Sequence, residues 1–125
     1  MATLLPKLSI KSQDYLSDPL DISTTSRIGV ITDPTEFGRT SITTTVNKTL
    51  MPTNSYYSYV YIKVLEGTRL TDSITVTIGL LPNIKIRVGE FLFLPLINGQ
   101  VVKAIAVGGI CKVEYGYWSR SEAYK

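Results

Sequence analysis

The 125-residue chain has no histidine and one cysteine. Without histidine the Ser-His-Asp and Cys-His nucleophile systems, most zinc sites and the usual general base near neutral pH are excluded. With Cys111 alone no intrachain disulfide can form, and its place in an apolar segment between Ile110 and Lys112 fits a buried, inert thiol. Charge is also scarce: 18% of residues are Asp, Glu, Lys or Arg against 44% hydrophobic, the opposite of a disordered composition and compatible with a surface partly covered by neighbours. The 13 basic and 10 acidic residues give a net charge of +3 but form no run, so nucleic acid is not expected as a partner. The acids stand singly at loops and strand ends, and no spacing marks the carboxylate pair of a glycosidase. Asp33 and Glu36 lack the ligand spacing of a calcium loop, and Gly108-Gly109 lacks the lysine and helix of a phosphate-cradling loop. No apolar stretch approaches the roughly 20 residues of a membrane span. Met1 to Pro6 lack the basic start and apolar core of a signal peptide, so the chain is expected to be made in a cytoplasm, without a membrane partner. The expectation is a non-enzyme with no catalytic, cofactor or metal site.

What the sequence has is short strands. Residues 1–33 alternate small apolar patches with Pro, Asp and Ser and hold neither period for long. They read as an extended N-terminal arm with one short strand near Ile28 to Thr32, docked on its own domain or on the next subunit by strand addition. Residues 34–125 read as the folded domain. In it, residues 33–38 form a loop and Thr40 to Val46 a strand with a polar outer face. Tyr57, Tyr59, Tyr61 and Lys63 alternate with Ser58, Val60, Ile62 and Val64, which places a tyrosine ladder on one side of a strand. Ser73 to Gly79 alternate likewise and are expected to pair with the tyrosine strand. After a turn at Leu80 to Asn83, Ile84, Ile86 and Val88 point one way and Lys85 and Arg87 the other. The most apolar stretch, residues 88–96, turns at Gly89-Glu90 and reads as a central strand buried on both faces. Asn98-Gly99 then signals a tight hairpin returning through residues 101–107. Gly108-Gly109 turns into a last strand ending at Trp118. Seven to eight strands with regular turn signals and no helix point to an all-β fold, an antiparallel β-sandwich or jelly roll.

Binding chemistry rests with the aromatics, clustered on two strands. Tyrosine and tryptophan offer large rigid contact area with a polar tip, which suits core packing, a face between subunits, or a platform for sugar or base stacking. The candidate interface residues are Tyr57, Tyr59, Tyr61, Tyr115, Tyr117 and Trp118.

The order Tyr59-Val60-Tyr61-Ile62-Lys63-Val64, Ser73-Ile74-Thr75-Val76-Thr77-Ile78-Gly79, Val88-Gly89-Glu90-Phe91-Leu92-Phe93-Leu94-Pro95 and Val113-Glu114-Tyr115-Gly116-Tyr117-Trp118 resembles small β-sandwich virion proteins of bacteriophages. In these a Gly-Glu-Phe step into an apolar strand precedes a last Tyr-rich strand. The resemblance covers residues 56–118 and carries no catalytic signature. It implies a structural protein of the virion, assembled in the host cytoplasm: a capsid-decoration, minor-capsid, head-fibre or tail-associated protein. Its partners would be other copies of itself and other virion proteins. The alternative is a carbohydrate-binding module that contacts a host surface glycan.

Overall fold

The computed structural model describes residues 2–12, 20–25, 28–30, 36–52, 58–97 and 100–119, and every regular element among them is a strand. In chain order these are β1 Ala2–Leu4, β2 Lys7–Ser12, β3 Leu20–Thr25, β4 Ile28–Val30, β5 Glu36–Ile42, β6 Lys48–Met51, β7 Ser58–Gly67, β8 Ser73–Ile78, β9 Leu81–Arg87, β10 Phe91–Leu96, β11 Val102–Val107 and β12 Cys111–Ser119. Eight of them build two four-stranded antiparallel sheets. Sheet I has the order β10-β7-β12-β5 and sheet II the order β6-β11-β8-β9.

The two-residue period explains how each sheet finds its inner face. On β7, Val60, Ile62 and Val64 are buried. Directly opposite them β12 places Tyr117, Tyr115 and Val113, and β10 places Leu94 and Leu92 opposite Val60 and Ile62. Sheet II turns in Ile74, Val76, Ile86, Val102, Ala104 and Ala106. Residues of both inner faces join in one hydrophobic cluster, so the sheets form a sandwich. With the eight strands counted one to eight from β5, sheet I reads 6-3-8-1 and sheet II 2-7-4-5.

Except for β8 and β9, which pair in sheet II, consecutive strands from β5 to β12 pass between sheets, and this overturns two sequence expectations. β7 and β8 do not pair: β7 lies between β10 and β12, whereas β8 lies between β11 and β9. The alternation that marks both as strands carries no information about which neighbour each selects. Nor do β10 and β11 form a hairpin, since they belong to different sheets; Asn98 and Gly99 themselves lie outside the described residues.

β10 is an edge strand rather than a central strand buried on both faces. Leu92 is buried on the core side while Phe91 is 56% exposed on the other. Pro95, which has no N–H for a second ladder, fits an edge. Its continuous apolar run therefore serves two faces with different fates, one sealed in the core and one facing outward.

Boundaries move as well. Glu36, Phe37 and Gly38, expected in a loop, begin β5; that strand ends at Ile42, before the polar turn 43–47. Leu81 already belongs to β9, because the turn sits at Gly79, φ +66°, and Leu80. The turn at Gly89 is as expected, with Glu90 N–H donating to Arg87 C=O at 2.9 Å and Gly89 at φ +88° in the third position, as a type II turn requires.

Residues 2–30 carry four strands in two ladders, β1 with β4 and β2 with β3, the second nested inside the first. Where an extended arm with one short strand near Ile28 to Thr32 was expected, four paired strands are present; β4, Ile28–Val30, stands at the expected place, and Ile31 and Thr32 lie outside the described residues. Among the described residues these four strands pair only with each other.

Candidate functional site

The outward face of sheet I holds the side chains the sandwich does not need for its core. Direct ladder partners share a face, so the register reads it out in rows across the sheet. Phe37, Gly116, Tyr61 and Phe93 form one row across β5, β12, β7 and β10. Toward one end the next row is Arg39, Glu114, Lys63 and Phe91; toward the other lie Trp118, Tyr59 and Pro95. Six aromatic rings thus stand on one side of a single sheet. The corresponding side of sheet II carries Thr75, Thr77, Lys85, Arg87 and Lys103, with Ile105 and the half-exposed Val107 among them.

The rings pack on one another. Phe37 and Tyr61 are parallel within 2° at 6.4 Å between centroids. They come together over buried Gly116, which leaves room for them because it has no side chain. Tyr59 stacks on Phe93 at 5.8 Å and 11°, and Phe93 meets Trp118 at 6.2 Å with a tilt of 53°, within the range where aromatic pairs attract. Tyr59 is only 4% exposed although it points away from the core, because its neighbours on β10 and β12 cover it. Phe37 and Phe91 stay open at 54% and 56%.

Beside the rings lies a polar cluster. The Arg39 Nε and Nη2 groups donate to Glu114 Oε2 at 3.3 and 3.2 Å, and the Tyr61 hydroxyl donates to Oε1 at 3.1 Å. Burial pushes the Tyr61 phenol above its ordinary 10.0, and both the hydrogen bond to Glu114 and that carboxylate's charge push the same way. Arg39 keeps 66% of its side-chain surface exposed, so the ion pair contributes little stability and mainly fixes where the guanidinium stands.

The residues expected at an interface divide between the two faces. Tyr59, Tyr61 and Trp118 lie together on the outer face. Tyr117 is buried in the core cluster and Tyr115 packs against it from the same inner face. Tyr57 lies outside the described residues. Sequence reasoning missed Phe37, Arg39, Phe91 and Phe93. For Phe91 and Phe93 the signal was present, since Phe-x-Phe-x-Pro alternates on one side of a strand; for Phe37 it was hidden by the loop assignment.

Cys111 is buried, with its thiol 3.7 Å from Ser73 C=O and 3.6 Å from Gly109 C=O. Burial foremost, then the nearby Asp72 charge, raises its pKa, which disfavours the thiolate a nucleophile needs. Among the described residues no group of three or more Cys, Asp or Glu side chains is gathered in a way that could hold a metal ion. Asp33 and the Glu36 side chain lie outside the described residues. No helix is long and apolar enough to cross a membrane. Comparison of the chain with protein-family models, with curated proteins and with solved structures finds no match in any of the three.

Proposed function

We propose that this chain is a non-enzymatic structural protein that works through protein–protein assembly, with the outer face of sheet I as its contact surface. The observation that carries the reading is the asymmetry of the two outer faces. Sheet II presents mostly threonine and lysine, whereas sheet I carries six aromatic rings, two of them more than half exposed and one, Tyr59, almost wholly covered. A contiguous apolar patch of this kind on a soluble sandwich marks an interaction site, and aromatic side chains are the residues that interfaces enrich. The setting is the virion of a bacteriophage, as a decoration, minor-capsid, head-fibre or tail-associated protein, and this rests on the sequence resemblance. The strand order supports a jelly-roll reading of the sandwich. Residues 1–33 act as an arm and supply a second contact by docking on a neighbouring subunit.

Adding the purified protein to capsids that lack it, and measuring what co-sediments, tests this. Wild type is expected to bind saturably, and Phe91→Ser to bind at least tenfold more weakly. A chain that stays monomeric by light scattering and leaves capsids bare would contradict the proposal.

A glycan-binding reading is favoured by one observation, the fixed Arg39–Glu114–Tyr61 cluster beside the open Phe37 ring. A sugar needs such a ring for its C–H face and polar groups for its hydroxyls. Glycan-array binding that is lost in Phe37→Ala and Trp118→Ala while assembly persists would favour it over the first.

A further inference from the structure

We infer that two copies of the chain pair through β5, edge to edge across a two-fold axis at Gly38, so that sheet I continues from one molecule into the next. The inference rests on the assembly reading and gives it a partner and a register.

At the edges of the two four-stranded sheets lie four strands, and three of these are guarded against pairing. β10 contains Pro95 and β9 contains Pro82, which cannot donate to a ladder. β6 has only four residues, and its register with β11 shifts between Val102 and Lys103. β5 has none of these devices. It runs seven residues without proline, in unbroken register with β12 from Glu36 opposite Tyr117 to Ile42 opposite Cys111. A long regular edge of this sort is a template for another strand. Phe37, more than half exposed, stands on it.

The two-fold axis then limits the registers to those in which one residue of β5 opposes itself. Opposed residues must share a face, so each outward residue of one copy meets an outward residue of the other. Centring the axis on Arg39 would set Arg39 against Arg39, a like-charge pair that destabilises a ladder. Centring it on Gly38 sets Phe37 of each copy against Arg39 of the other and Glu36 against Thr40. Both exposed Phe37 rings then gain a guanidinium across the ladder, within cation–π reach. Glu114 holds that guanidinium in place from behind. Gly38 meets Gly38 at the centre; a Cβ built on it finds no atom within 4 Å, and its φ is not positive.

That open space supplies the test. Opposed Cα atoms in an antiparallel ladder lie about 4.5–5.5 Å apart, within disulfide range, so oxidised Gly38→Cys protein is expected to run as a covalent dimer on a non-reducing gel. Ser41→Cys is expected to stay monomeric, because the two Ser41 positions are roughly 20 Å apart in this register. Wild type, whose Cys111 is buried, serves as the blank. In a second reading, a mixture of Phe37→Cys and Arg39→Cys chains is expected to cross-link, and neither chain alone. If the protein self-associates by light scattering but Gly38→Cys and the mixture fail to cross-link, or Ser41→Cys cross-links equally well, the β5 pairing is wrong and the assembly reading stands. If no self-association occurs at any concentration, the pairing is wrong also, and capsid co-sedimentation decides separately whether the assembly reading survives.

Discussion

At Tyr61 the apolar and polar halves of the outer face join: the ring lies parallel to Phe37 while the hydroxyl donates to Glu114. Because its folded pKa is raised above the ordinary 10.0, Tyr61 contributes stability that is complete below pH 10 and lost as pH rises through the folded pKa. The unfolded chain ionises first and gains. Denaturant midpoints measured from pH 8 upward should therefore fall more steeply above pH 10 in wild type than in Tyr61→Phe. Parallel curves for the two proteins would contradict this account of the residue. Arg39, by contrast, is chiefly a positioned cation, since an ion pair this exposed contributes about 0–1 kcal/mol.

Strands β7 and β10 show how one element can serve two ends. Ile62 on the inner side of β7 is fully buried, and Ile62→Ala is expected to destabilise the fold by about 2–5 kcal/mol through lost contacts and a residual cavity. Phe91 on the outer side of β10 is mostly exposed, so Phe91→Ser should change stability by no more than about 0.5 kcal/mol, while its loss is felt in binding. Thermal unfolding of both variants, set beside capsid co-sedimentation, separates the two roles. A Phe91→Ser protein as unstable as Ile62→Ala would place Phe91 in the structural core.

This division was only half visible in the sequence. Alternation at residues 58–64 separated the two sides of β7, because a period of two puts Val60, Ile62 and Val64 on one face and Tyr59, Tyr61 and Lys63 on the other. It could not reveal which strand lies beside it, since hydrogen-bond ladders are indifferent to side-chain identity and the chain crosses between sheets after Gly67 and after Leu96. The unbroken apolar run of β10 hid its two faces. Phe37 stayed hidden because Pro34 and Gly38 resemble loop punctuation, although Gly38 sits inside β5 without a positive φ.

At the scale of the molecule, the sandwich is sealed from within by aliphatic side chains of both sheets, and what remains for function is the difference between its two outer faces. Cys111, the chain's one cysteine, is buried within the sandwich, and burial raises its pKa. Tyrosines that looked alike in sequence have different parts: Tyr117 fills the core, whereas Tyr61 and Tyr59 stack on Phe37 and Phe93 of the outer face. Nothing in residue type separates these roles; strand register does.

The chain's single tryptophan, Trp118, stands on the aromatic face against Phe93 and so reports directly on whether that face is the contact surface. Its fluorescence emission and its quenching by acrylamide can be followed as the protein is titrated with capsids lacking it. A blue shift and reduced quenching that saturate together with binding are expected. Binding that leaves both signals unchanged would contradict the claim that the outer face of sheet I makes the contact.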